Sequence, residues 1–212
     1  QRQMCIRDSI WPFTTAIPRL SSIVPEDQDK GVSTASLDQV VVVFTAPIDS
    51  AQAIADNFVL MRNGGPVSPR PDDPVPLSGN KYGLAPVSGW DVGSTYTVQI
   101  APSVTGPLGT DQTISRTFQT AVPSMESQTP LAGAADIGIA ESEIRVVFDD
   151  AVDAEAVSLL NIQLLLEGQA VAISDPSYDP SDFSVTFFPE ADLLAGSSYY
   201  VRLAAGRGGP PP

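Results

Sequence analysis

Along Ile144–Phe148, IRVVF, the residues Ile144, Val146 and Phe148 share one parity, and Arg145 and Asp149 share the other. A period of two turns one apolar row toward a core and leaves the alternate row polar, so this run predicts a half-buried strand. Val40–Phe44, VVVVF, lies 104 residues earlier and does not alternate. It aligns with the second run, however. Val40/Ile144, Val42/Val146, Phe44/Phe148, Ile48/Val152 and Asp49/Asp153 agree in type, which carries the same strand back to Val40, Val42 and Phe44. The two runs are the pegs of an internal repeat.

The rest of the chain falls into the same order twice. Leu20–Ser33, with a Pro, acids and a Gly, reads as a strand running into a turn, and Ser124–Gly138 is its counterpart. After Asp49, SAQAIADN predicts a short helical turn or loop. Phe58–Met61 and Ile162–Leu166 follow as strands, each preceded by Asn (Asn57, Asn161). The Pro- and Gly-rich stretch Asn63–Ser78 is expected to hold no regular structure. Glu167–Asp182 is its counterpart. Tyr82, Leu84 and Pro86 then match Val185, Phe187 and Pro189. Gly93 and Gly196 each precede a small polar pair and a Tyr, where a glycine supplies positive φ for a tight turn. Tyr96, Val98 and Ile100 alternate with polar residues, as do Tyr199, Val201 and Leu203. Ile114–Thr120, ISRTFQT, closes the first repeat. The second ends AAGRGGPPP before any such run, so a missing last strand and a less stable second unit are expected. Short alternating strands, frequent turn signals and no long helical period predict an all-β sandwich architecture.

Composition narrows the chemistry. The 212 residues suffice for two units of about 100 each, large enough to bury a core without metal or crosslinks. The formal charge of −14 repels phosphate backbones and anionic lipid, so neither nucleic acid nor a membrane is an expected partner. Lys30 and Lys81 are the only lysines. Acid-rich, lysine-poor surfaces suit secreted proteins, with halophilic adaptation as the alternative. With no His, the usual general base and the commonest metal ligand are gone. Cys5 is the sole cysteine, so no intrachain disulfide forms. No apolar run approaches a membrane span.

A few residues invite a sharper reading. Asp149, Asp150 and Asp153 form the densest acidic group beside a strand. With Asp175, Asp179 and Asp182 in the same repeat, they raise the possibility of calcium, which takes several oxygen ligands. The first repeat has Thr45 and Ala46 in place of Asp149 and Asp150, and a solvated acidic edge is the preferred reading. Asp49 and Asp153 recur and are expected to accept backbone hydrogen bonds after the strand. Trp90, Tyr82 and Tyr200 could stack on sugar rings if exposed together, whereas core packing is the commoner use of such aromatics. Trp11 belongs to the leader. The loops GGPV and GRGG are not phosphate cradles, because no Lys follows them. No catalytic residue, cofactor or metal site is assigned.

These features resemble the bacterial Ig-like domain of the surface-layer protein (SbsA) type. The matching residues are Phe44, Pro47, Ile48 and Asp49; Asn57 and Phe58; Gly93 and Tyr96; Phe118 and Thr120. The second copy matches at Phe148, Val152, Asp153, Asn161, Leu193, Gly196 and Tyr199. It departs with Ala151 for the Pro and Ile162 for the Phe. The resemblance implies two tandem Ig-like β-sandwich domains, at 19–121 and 125–206, the second truncated, joined by a linker at 122–124. Residues 1–18 are expected to be a non-native or disordered leader, since QRQMCIRDS resembles translated adapter sequence, and 207–212 a disordered tail. The implied role is a non-catalytic spacer or adhesive module of a larger secreted or cell-surface bacterial protein, with neighbouring domains of the same chain, a protein or a cell-wall polysaccharide as partners. The alternative is a carbohydrate-binding accessory to an extracellular enzyme.

Overall fold

In the computed structural model, residues 12–14, 17–105, 112–140 and 142–204 are described. Cys5, Trp11, the GRGG loop and the expected tail lie outside them. The first half contains β1 (Leu20–Val24), β2 (Val40–Phe44), β3 (Phe58–Arg62), β4 (Gly65–Pro66), β5 (Val75–Ser78), β6 (Lys81–Leu84), β7 (Thr95–Ile100) and β8 (Ile114–Gln119). The second contains β9 (Met125–Thr129), β10 (Ile144–Phe148), β11 (Ile162–Leu166), β12 (Gln169–Val171), β13 (Ser177–Asp179), β14 (Ser184–Phe187) and β15 (Tyr199–Leu203). The only helices among the described residues are 3₁₀ turns at Ala55–Asn57, Pro102–Thr105 and Ala154–Ala156.

Each half builds two sheets. The first has β1-β2-β6-β5 and β4-β3-β7-β8; the second has β9-β10-β14-β13 and β12-β11-β15. The registers repeat as well as the order. Val40 faces Leu84 and Val42 faces Tyr82, while Ile144 faces Phe187 and Val146 faces Val185. In the other sheet Phe58 faces Ile100 and Leu60 faces Val98, while Ile162 faces Leu203 and Leu164 faces Val201. A slip of one residue would turn every core side chain to solvent, so the shared register follows from the shared apolar pattern.

The sheets of each half enclose their own core. In the first, Val40, Val42, Phe44, Phe58, Leu60, Tyr82, Leu84, Tyr96, Val98, Ile100 and Phe118 are buried together. Phe44 meets Phe58 and Tyr82 edge-on at centroid distances of 6.3 and 6.0 Å, the arrangement that aromatic quadrupoles favour. Each such side chain stabilises the fold by roughly 1.5–3 kcal/mol through removal from water. The second core, around Ile144, Ile162, Leu164, Ile173, Val185 and Phe187, is separate and smaller among the described residues. Phe148 packs against its edge, partly buried.

Two glycine turns behave as their spacing predicts. Gly93 has φ of 61° and Gly196 has φ of 72°. Each turn delivers a Tyr three residues on, and that Tyr hydroxyl closes the turn by accepting a backbone N–H. Asp91 N donates to Tyr96 Oη at 2.9 Å and Leu194 N to Tyr199 Oη at 2.8 Å. Asn57 and Asn161 likewise each cap the preceding turn, with Nδ2 donating to Gln52 O at 2.9 Å and to Ala156 O at 2.8 Å.

The expectation that Asn63–Ser78 holds no regular structure is corrected. Gly65–Pro66 pairs with β3, and Val75–Ser78 pairs with β6. Both are edge strands, where a proline's missing N–H can face away from the ladder.

One difference between the halves stands out. Val98 and Ile100 on β7 are each 1% exposed, whereas their equivalents on β15, Val201 and Leu203, are 40% and 37% exposed. β8 covers β7; among the described residues nothing pairs with the outer side of β15.

Candidate functional site

The acidic residues of the second repeat sit where the two halves meet and along the loops nearby. Asp149 directly follows β10 and reaches back to the residue before β9. It accepts from Ser124 N at 2.7 Å and from Ser124 Oγ at 2.5 Å. These donors stabilise the ionised form and hold its carboxyl below the ordinary aspartate value. Asp150 is buried and accepts from Ala151 N at 2.7 Å and from Ser33 Oγ of the first repeat at 3.0 Å. Asp153 caps the 3₁₀ turn, accepting from Glu155 N at 2.9 Å. Asp49 accepts from Ala51 N at 2.9 Å in the turn that follows β2.

Farther along, Asp179 accepts from Ser181 N at 2.9 Å and Ser181 Oγ at 2.7 Å, which lowers its carboxyl too. Asp182 accepts from Ser184 N and forms an ion pair with Arg145. Asp175 is exposed. Asp149, Asp150, Asp153, Asp179 and Asp182 each accept from nearby N–H or O–H groups. Among the described residues no three acidic, Cys or His side chains converge as a metal site would require.

The contrast between Thr45 and Asp149 turns out to be a substitution of one acceptor for another. Arg19 N donates to Thr45 Oγ1 at 3.1 Å, just as Ser124 N donates to Asp149. Each then returns a backbone bond, Thr45 N to Arg19 O at 2.8 Å and Asp149 N to Ser124 O at 3.0 Å. Both residues fasten the entering chain to the end of the central strand. Sequence reasoning missed the two serines, Ser33 and Ser124, because nothing in their neighbourhoods marks a hydroxyl as a partner for a carboxylate. It also missed Asp73, which is buried and accepts from Ala85 N at 2.8 Å and Arg70 N at 3.1 Å.

Joining the halves is a short, tied segment. Gly93 N donates to Ala121 O at 2.8 Å and Ala121 N to Val32 O at 2.9 Å. Thr120 forms a parallel bridge with Val32. Ser124 is held by Asp149 on the other side. Only Val122 and Pro123 lie between these anchors.

The aromatic candidates do not form a shared face. Tyr82 is buried against Phe44 and Phe58, which removes it from any sugar platform. Trp90 packs edge-on to Tyr96 at 4.8 Å and against Phe118 at 5.7 Å. Tyr200 is 65% exposed, on β15 of the other repeat. No helix among the described residues is long and apolar enough to cross a membrane.

The sequence profile of the bacterial Ig-like domain matches this chain twice, at residues 14–120 and 119–207. No curated protein matches it closely enough to count as a relative. Among solved structures, the N-terminal part of the bacterial S-layer protein SbsC is 16% identical, with a TM-score of 0.35 over 90% of this chain and 45% of that one. The LD transpeptidase LdtMt1, in complex with imipenem, is 15% identical, with a TM-score of 0.35 over 77% of this chain and 62% of that one. The I9–I11 tandem of titin is 10% identical, with a TM-score of 0.33 over 85% and 61%. The chain thus spans about half to two thirds of the length of these solved chains.

Proposed function

Because the chain belongs to the bacterial Ig-like domain family, we propose that it is a non-catalytic spacer, a pair of modules that sets distance and stiffness within a larger secreted or cell-surface protein. The observation that carries this reading is the tied junction. With Ala121 and Ser124 both hydrogen-bonded to the repeats they border, Val122 and Pro123 have little freedom, and the proline fixes one of the remaining dihedrals. The Ser33–Asp150 bond adds a direct strut between the halves. A spacer needs this stiffness; a catalyst needs a concave site with groups poised to react, and the acidic residues here are committed to turns.

The acidic, lysine-poor surface supports an extracellular setting, where net charge keeps repeated modules soluble and apart. Adhesion through a protein or a cell-wall polysaccharide remains part of the proposal at the level of partner class. The surface-layer (SbsA) subtype rests on the Phe44–Asp49 and Gly93–Tyr96 patterns. Small-angle scattering tests the spacer role. A stiff pair gives a two-lobed distance distribution that salt leaves unchanged. A single-lobed distribution, or one that contracts freely with salt, overturns it.

A further inference from the structure

Besides the ladders within its sheets, the first half carries a set of bonds that joins its entering segment to its leaving one. The loop after β1 runs beside β8 in the same direction. Val32 forms a parallel bridge with Thr120, with Val32 N donating to Gln119 O at 3.1 Å and Ala121 N to Val32 O at 2.9 Å. Upstream, Gln28 N donates to Thr117 O at 2.6 Å, Gln119 N to Asp29 O at 2.8 Å, and Thr117 N to Asp27 Oδ1 at 2.8 Å. The loop is braced on itself as well, since Glu26 N donates to Asp29 Oδ2 at 2.8 Å and Asp29 N to Glu26 O at 3.2 Å.

The other edge of β8 is held at the same height. Phe118 faces Tyr96 of β7, and their rings stack at 5.7 Å. Thr120 is buried and donates its N–H to Ser94 O at 2.9 Å. Its hydroxyl accepts from Ser94 N at 2.9 Å and donates to Asp91 O at 2.7 Å. Gly93 N then reaches Ala121 O at 2.8 Å.

Direction gives these bonds a consequence. The chain enters the 27–32 segment from β1, at its N-terminal end, and leaves β8 at its C-terminal end toward Ser124. In a parallel pair those two ends point opposite ways. Tension along the chain therefore slides the segments past each other along their own axes. The bonds run across the strands, so they share the load together instead of parting one by one. Loss of β1 from β2 alone would free only residues ahead of Asp27 and leave this pairing closed. We infer that the pairing of residues 27–32 with residues 117–121 is a tension-bearing clamp, which keeps the first half folded while the larger protein is stretched. The inference rests on the spacer reading for the source of the load.

The test holds the whole chain at constant force between handles on its two termini and reads the lifetime of the folded first half. Its opening is identified by a released length of about 3.3–3.6 Å per residue over Leu20–Ala121. Two variants each remove one exposed side-chain acceptor from a backbone N–H of this half. Asp27→Ala frees Thr117 N, inside the clamp, and Asn63→Gly frees Thr95 N, which ties the β3–β4 turn to β7 at 2.9 Å, off the load path. Glycine suits the φ of 49° at Asn63. Denaturant titration checks that both variants fold. Opening under load follows the unfolding rate, so Asp27→Ala is expected to shorten the lifetime by about threefold to tenfold, the effect of one net hydrogen bond, and Asn63→Gly to leave it unchanged. Equal shortening by the two variants, or no shortening by Asp27→Ala, would overturn the clamp. Failure of the spacer reading itself shows separately, as a single-lobed scattering profile of the unstretched chain.

Discussion

Ser33 donates its hydroxyl to Asp150 across 117 residues of sequence, at 3.0 Å, and so places a buried carboxylate of one repeat against the other. The bond ties directly two loops whose neighbouring residues, Val32 and Asp149, are already held by the junction. Ser33→Ala is expected to leave each core intact and to weaken their association by about 0.5–1.5 kcal/mol, the net worth of a part-buried hydrogen bond. Scattering should then show a broader spread of inter-module distances. An unaltered profile would mean that the junction backbone holds the geometry by itself.

The two equivalent phenylalanines should differ in what their loss costs. Phe44 is fully buried and touches two other rings, so Phe44→Ala should cost about 3–5 kcal/mol. Phe148 sits at the margin of its core, and Phe148→Ala should cost less. Denaturant unfolding of each variant measures both. Equal losses would contradict the packing described.

Asp149 and Asp179 give a pH dependence with a definite sign. The serine donors hold both carboxyls below the ordinary aspartate value in the folded chain. Their contribution is therefore complete above the unfolded value, near about 4, and fades as pH falls through the folded values. Stability should drop on that acid limb, and Asp149→Asn should make the drop shallower than in the parent chain. Comparing variant with parent cancels the general relief of acid–acid repulsion, which both share. Identical acid limbs would show that Ser124 does not favour the carboxylate.

Tyr96 titrates in the opposite sense. Burial raises its phenol above the ordinary value, partly offset by Arg62. A group whose folded value is raised contributes below its unfolded value and loses that contribution as pH climbs through the folded one, so alkaline loosening of the first repeat is expected above pH of about 10. Ultraviolet titration should show late tyrosine ionisation in the parent that Tyr96→Phe diminishes; an unchanged curve would contradict the burial of this phenol.

How much of this was legible beforehand depends on whether a residue's partner is local. The strands at Val40–Phe44 and Ile144–Phe148 could be read because alternation is a property of the run itself, and the repeat transferred it to a stretch of four valines. The Gly-to-Tyr turns were legible for the same reason. Val75–Ser78 was not, because proline is excluded from a central strand but tolerated on an edge, and only the sheet order shows which strand is which. For Tyr82 core packing is the commoner expectation of an aromatic at strand spacing, and it faces Val42 across the ladder and lies inside. The acidic group reads as a solvated edge, and the anchoring roles of Asp149 and Asp150 escape that reading because their partners, Ser124 and Ser33, are remote in sequence.

Amide exchange followed residue by residue tests the central claim most directly, namely that the chain folds one apolar plan into two separate cores. Protection in β2, β3, β6 and β7 should be lost together with one opening free energy. Protection in β10, β11 and β14 should be lost together at a lower one, since the second core is smaller and β15 leaves apolar side chains in water. A single opening free energy shared by Val42, Leu60, Val146 and Leu164 would contradict it.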